Sequence, residues 1–424
     1  MRKKIKIPEE DLIYRLREIF DPRRISYEHP QTNEPELFFR FGSKGWRLNQ
    51  KEKENLENAV QILKKQFNKV HKETCQKYLQ SFCCDEFPAK FDTFHERIPK
   101  LFQDLQKVAD NQSIVAVEVA GLRMDIDSFE FGKFEFVLSN DPALKELRES
   151  IRAKDGDASE PIPSGSVLAK RTLQGDSSLV REVAKEDLQQ TIDVLQFISA
   201  FKNPSILKPD IQGFSLYVGE NRKPAVERTW SHNTSPNERW EAHNMNAERP
   251  SNDLPQYGLL LNEQTIDEFK SFGWDGFNQL LLKEEVSFFE RNLLSANRWF
   301  AKAVRDIDPS RKFVDLFIAL ESLFSDDIEH PEKSRAVFNT REGVAFFLGE
   351  NIDERLKIYK WVNDLAKVRN KVVHSGFSEI ERDDLNLLFR LTQKCCLCGL
   401  ELSVQFGKSG SFSKWARRFK FSQP

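Results

Sequence analysis

Residues 353–374 read DERLKIYKWVNDLAKVRNKVVH, and the fold of the C-terminal part of the chain turns on this stretch. Apolar residues recur at Ile358, Trp361, Val362, Leu365, Val368 and Val372, the three- and four-residue spacing of one face of an α-helix. At about 100° per residue Arg369 falls inside that stripe, close to Val362 and Leu365, so its guanidinium is not an ordinary surface charge. Asn363, Lys367, Asn370 and His374 take the opposite, polar face. On one uninterrupted helix Arg369 and His374 point about 140° apart. Two arrangements bring them together. Either the helix ends just before His374, with Gly376 as the residue that follows the helix end, or an arginine from one copy meets a histidine from another across a dimer interface. Asn370, four residues before His374, is placed to orient the imidazole in both cases.

Outward from this stretch the spacing predicts helices over about 284–306, 311–326, 333–349, 353–374 and 381–405. Asp308-Pro309, His330-Pro331, Gly349 and Gly376 supply the breaks,. Ser378 and Glu381 have the spacing of a capping box for the last helix,. Long amphipathic helices with short connections imply an antiparallel bundle.

The rest of the chain divides into two further regions. Residues 1–110 read mostly as helix. The stretch Asn49–Phe82 carries Leu56, Val60, Leu63, Phe67 and Val70 at helical spacing, a second helix is expected over Phe94–Val108, and the short apolar run Leu37–Phe41 suits a strand,. From Ile114 the pattern changes. IVAVEVAGLRMDI (114–126) and FEFGKFEFVL (129–138) have the alternation and the β-branched and aromatic content of paired strands,. Residues 154–178 are rich in Gly, Pro, Ser and Asp and read as a mobile loop,. A helix over Lys185–Phe201, a strand over Gly213–Val218 and a long irregular stretch, Asn221–Gln256, follow; the last carries Trp230, His232, Trp240 and His243 and reads as a surface loop,. The expected architecture is α+β: a helical N-terminal region (1–110), a mixed sensing or regulatory region (111–283) and a C-terminal antiparallel helical bundle (284–424).

The bulk properties narrow the function. With 424 residues the chain is long enough for two or three domains,. Its net charge of −2 argues against a surface coated with phosphate-binding cations and leaves room for one local basic groove,. The start is basic and then amphipathic, without the apolar core of a secretory signal, and no apolar run is long enough to span a bilayer,. The six cysteines cluster at Cys75, Cys83 and Cys84 and at Cys395, Cys396 and Cys398, which is not a spaced disulfide framework and points to a reducing cytoplasm,. His71 and Cys75 stand at helical spacing, yet no paired metal knuckles appear, so the cysteines are expected in cores and no metal or cofactor is expected,. No P-loop, dinucleotide fingerprint or G-x-S-x-G turn is present,.

The segment Arg369–His374 has the form R-x4-H. Alone it says little, since about half an occurrence is expected by chance. Its surroundings say more: FVDLFIALESLF (313–324), TREGVAFFLG (340–349) and the closing RNKVVHSG (369–376) follow in order. Over about 120 residues this set resembles the HEPN superfamily, in particular the HEPN domain of ApeA-type bacterial defence proteins. The matching positions are Ala319, Leu320, Glu321, Leu323, Phe324, Arg341, Arg369, His374 and Gly376. Many relatives carry a tyrosine two residues after the histidine, where this chain has Gly376 followed by Phe377.

The resemblance implies a metal-independent endoribonuclease in antiphage defence or acting as a toxin. His374 would be general acid or base, Arg369 would stabilise charge on the scissile phosphate, Asn370 would assist, and Glu321 and Arg341 would support. It implies an RNA substrate, a homodimer, no membrane, and a phage component or protein as trigger for the N-terminal region. The plainer alternatives are that Arg369 pairs with Glu321, that His374 settles a helix C-terminus, and that the bundle is a non-catalytic dimerisation scaffold with an N-terminal partner-sensing module.

Overall fold

The computed structural model describes residues 12, 14–15, 38–41, 44–47, 50–85, 94–119, 121–138, 166–202, 228–233, 241–244, 259–306, 308–325, 336–375 and 379–406. The protein is α+β, and its chain forms two compact units: residues 1–115, 172–183 and 231–239, and residues 116–171, 184–230 and 240–424. Among the described residues no helix is long and apolar enough to cross a membrane.

In the first unit, strands β1 (Phe38–Phe41) and β2 (Lys44–Arg47) pair antiparallel. Helices α1 (Gln50–Gln66), α2 (Lys72–Asp85) and α3 (Phe94–Asp110) bury Leu56, Val60, Leu63, Phe67, Leu79, Leu101 and Leu105 in a common core. The single helical stretch expected over Asn49–Phe82 is thus two helices. The chain turns at residues 67–71, where the Lys64 ammonium donates to the carbonyls of Asn68 and Val70 at 2.9 and 2.8 Å and satisfies groups that a continuous helix would have bonded internally,.

Strands β3 (Gln112–Val119), β4 (Leu122–Met124), β5 (Ser128–Phe131), β6 (Phe134–Leu138), β7 (Val167–Gln174), β8 (Arg228–Asn233), β9 (Glu241–Asn244) and β10 (Leu259–Leu261) follow in chain order. Six pair in the order β5-β6-β7-β3-β8-β9, and β10 pairs parallel with β4. The β5–β6 hairpin places Phe131 opposite Phe134 across a two-residue turn in which Gly132 has φ +59°, a conformation that favours glycine,. Two loop expectations fail here. Within 154–178, VLAKRTLQ forms β7, because its first three residues are buried and complete the sheet. Within Asn221–Gln256, β8 and β9 are strands. The strand expected over Gly213–Val218 lies outside the described residues.

Helix α4 (Ser177–Lys202) starts earlier than the Lys185 expected from the sequence. Asp176 is the cause: its carboxylate accepts from the Ser178 and Leu179 amides, at 2.8 and 3.0 Å, and from the His71 amide,. In the second unit the Phe197 ring of this helix meets Phe300 at 5.0 Å and Phe277 at 5.4 Å. Helices α5 (Glu263–Lys270) and α6 (Trp274–Leu282) were not expected. Their aromatic residues pack under the hairpin, with Trp274 4.2 Å from Phe131.

The five C-terminal helices are α7 (Phe288–Arg305), α8 (Pro309–Leu323), α9 (Ala336–Leu348), α10 (Ile352–Ser375) and α11 (Arg382–Phe406). Ser287 and Glu290 form a capping box at α7, and Asp308 caps α8 with Pro309 in its first turn,. Ser378, expected to cap α11, lies outside the described residues. Gly399 of α11 faces Phe289 and Leu293 of α7, while the Phe389 ring lies 4.9 Å from Phe300, so these two helices run antiparallel. Gly343 of α9 lies against the Phe324 ring so closely that a Cβ there would fall 2.3 Å from it.

Candidate functional site

Arg369 sits on α10 among the buried residues Val362, Leu365 and Ala366, as its wheel position requires. Its Nη2 lies 3.5 Å from Oε2 of Glu321 on α8, with the two side chains 24% and 17% exposed. Its Nη1 donates to Asn370 Oδ1 at 3.4 Å. Both contacts are long for charge-assisted hydrogen bonds, and Nε is buried without a partner among the described residues. The guanidinium is therefore anchored at one edge and incompletely engaged. Burial pushes the Glu321 carboxyl above its ordinary range, and the Arg369 charge draws it part of the way back,.

His374 is exposed and lies inside α10, which runs on to Ser375. The arrangement in which the helix ends before His374 therefore does not occur. Arg369 faces the core and His374 faces away from it, about 140° around one helix. A single chain brings Arg369, Glu321 and Asn370 together and leaves His374 apart. The Asn370 amide is turned to Arg369 and not, as expected, to the imidazole. Arg341, on α9, is half-buried, its Nε is also without a partner, and it forms no ion pair with Glu321 among the described residues. Gly376 and Phe377 lie outside the described residues.

Trp361 departs from the expected apolar stripe. It is 37% exposed, with the Lys357 ammonium 5.0 Å above its ring,. Its position at the stripe's edge, about 80° from Arg369, explains this. Nothing in the hydrophobic pattern separates an edge tryptophan that packs from one that faces water.

Three cysteines are buried as the sequence reading expected, Cys398 is half-buried, and the side chains of Cys83 and Cys84 lie outside the described residues. Cys75, Cys395 and Cys396 are buried free thiols, and burial raises the Cys75 thiol to about 11,. His71 is engaged elsewhere: its Nδ1 accepts from the Glu73 amide and its Nε2 lies 3.3 Å from Glu182. Among the described residues no three His, Cys, Asp or Glu side chains stand close enough to share a metal ion.

Comparison with protein-family models, with curated proteins and with solved structures finds no match for this chain.

Proposed function

We propose that the protein is a metal-independent endoribonuclease of the HEPN type, acting in antiphage defence or as a toxin, with a site completed by two copies of the chain. One observation carries the reading: a loosely anchored arginine and an exposed histidine stand five residues apart on one continuous helix, facing away from each other. The order of the surrounding segments, Ala319–Phe324, Arg341 and Arg369–Gly376, supports it through the family resemblance. On a continuous α10 the pair meets only across copies, with a two-fold axis passing near residues 371–372, midway between them.

In that site the RNA 2′-OH attacks the adjacent phosphorus as its proton leaves to a general base. The P–O5′ bond breaks, and a 2′,3′-cyclic phosphate and a protonated 5′-OH remain. His374 is the proton-transfer group, since imidazole titrates near neutral pH. Arg369 offers its unengaged N–H donors to the phosphate oxygens as charge builds on them. Asn370 and Glu321 hold the guanidinium, so Glu321 is a positioning residue. Arg341 supports from α9.

The test is cleavage of total RNA, or growth arrest on induction, by wild type, Arg369→Ala and His374→Ala. Both substitutions abolish activity, and mixing the two variants restores about a quarter of it, because half of the randomly formed dimers hold one intact composite site. Full activity in both variants overturns the proposal. The second reading, a non-catalytic scaffold, draws on the Arg369–Glu321 ion pair, which gives Arg369 a structural role. It requires purified protein to leave tRNA, mRNA and rRNA intact and a partner to co-purify.

A further inference from the structure

The proposed site consumes RNA, and the strand flanking the cut phosphate must lie on some surface of the bundle. Two exposed surfaces of α10 and α11 carry opposite charge. One is the outer face of α10. Lys357, Lys360, Lys367 and Lys371 are all exposed and fall within a sector of about 80° on the helix, reaching to within one turn of His374,. They cover about 21 Å of helix length. Asp364, in the middle of this face, pairs with Lys367 at 2.8 Å, so that acid and that lysine offset each other. Trp361 adds an exposed ring at the far end, with Lys357 over one of its faces. Asp353 begins the same face, two turns from Lys360 and at the end remote from His374.

The other surface is the start of α11. Glu381, Asp383 and Asp384 cluster there, and the Asp384 carboxyl is raised by burial and then by the negative charges of Glu381, Asp383 and Asp364. Asp364 puts this cluster within electrostatic reach of the α10 face, so a phosphate backbone is attracted to the lysines and held off the edge nearest the start of α11,.

We propose that single-stranded RNA lies along the outer face of α10, its phosphates on Lys360 and Lys371 and a base stacked on Trp361, so that the chain enters the site from the N-terminal side of that helix and avoids the start of α11. Lysines on a backbone track and an aromatic platform are the components of sequence-tolerant single-strand binding. The inference rests on the ribonuclease reading for the identity of the ligand, and its test is binding, which does not require cleavage.

The experiment uses the full chain with His374→Ala, so that RNA stays intact, and a fluorescein-labelled 20-nucleotide oligoribonucleotide read by anisotropy across a salt series. Lys360→Glu with Lys371→Glu weakens binding about tenfold or more at 0.1 M salt. Lys360→Ala with Lys371→Ala lowers the slope of log K against log salt by about 1.4, from two lost phosphate contacts at about 0.7 each. Trp361→Ala weakens binding severalfold and leaves the slope unchanged. Lys65→Glu with Lys394→Glu, an equal charge change at exposed sites elsewhere, has less than a twofold effect. The inference is overturned if the α10 reversal changes affinity no more than this control, or if the oligoribonucleotide does not bind. The two readings fail separately. Cleavage that needs His374, with binding indifferent to α10, removes the strip and keeps the enzyme. Binding through α10 by a wild-type chain that never cuts RNA keeps the strip and removes the enzyme.

Discussion

Arg369 pairs with Glu321, and one substitution tests what that pair contributes. Replacing it with alanine leaves the Glu321 carboxylate largely buried without its cation. Removing one partner of a fully buried pair costs about 3–5 kcal/mol; here the side chains are 24% and 17% exposed and 3.5 Å apart, so a cost of about 2 kcal/mol is expected. At about 2–4 °C per kcal/mol for a domain of this class, the melting temperature falls by about 4–8 °C at neutral pH. The pH dependence makes the reasoning specific. Glu321 already has a raised carboxyl, so the folded state holds its proton to higher pH than the unfolded state does. The stability it contributes is complete below the ordinary carboxyl range and is lost as pH rises through the folded value. Without Arg369 the folded value climbs further, so the Arg369→Ala protein loses up to about 1.4 kcal/mol per pH unit, relative to wild type, over the added interval. Glu321→Gln in the same background removes the titrating group, flattens the profile and recovers stability at neutral pH. Urea melts of wild type, Arg369→Ala and the double variant between pH 5 and 8 measure this. An Arg369→Ala profile parallel to wild type, or a double variant less stable than Arg369→Ala at pH 7.5, refutes the reasoning.

Three further outcomes follow from the packing. Asn297 Oδ1 and Gln393 Nε2 are both buried without partners among the described residues, and the antiparallel α7–α11 pair brings them level; Asn297→Leu and Gln393→Leu each cost about 1–2 kcal/mol, and the double variant costs at least about 0.5 kcal/mol less than their sum, whereas additivity in urea melts breaks the coupling. Gly343→Ala places a methyl 2.3 Å from the buried Phe324 ring and destabilises by about 1–3 kcal/mol, seen as a lower melting temperature; an unchanged one contradicts the contact. Arg305→Ala leaves Asp193, whose carboxyl burial already raises, without its 2.9 Å partner; it costs about 3–5 kcal/mol at pH 7, and the deficit shrinks toward pH 4 as Asp193 takes up a proton, so a deficit that grows on acidification counts against it.

The C-terminal helices were legible because their periods are long, their faces strongly apolar and their breaks marked by Pro and Gly. The core-facing position of Arg369 followed from the same arithmetic and agrees with its buried neighbours. The misses are as physical. β7 was hidden because Ser166 to Gln174 follows a run of Gly, Pro and Ser, and local composition says nothing about a distant sheet that completes itself with three buried residues. The early start of α4 depends on the bond from the His71 amide to Asp176, a contact between residues far apart in sequence. The turn at residues 67–71 depends on a lysine side chain reaching forward over carbonyls, which a hydrophobic pattern does not record. At the site, the orientation of Asn370 toward Arg369 and the exposure of Trp361 were set by side-chain geometry that spacing alone leaves free.

The five-residue interval on α10 also separates a position that sets how much protein accumulates from one that does not. His374, exposed and at the end of the helix, is free to vary without changing how much protein accumulates. Arg369, braced against Glu321, is not, since a loss of 1–2 kcal/mol changes steady-state abundance severalfold. Under the function proposed above, selection to silence the protein yields histidine lesions with normal amounts of chain and arginine lesions with severalfold less. Immunoblots of escape mutants would sort the two classes before any activity was assayed.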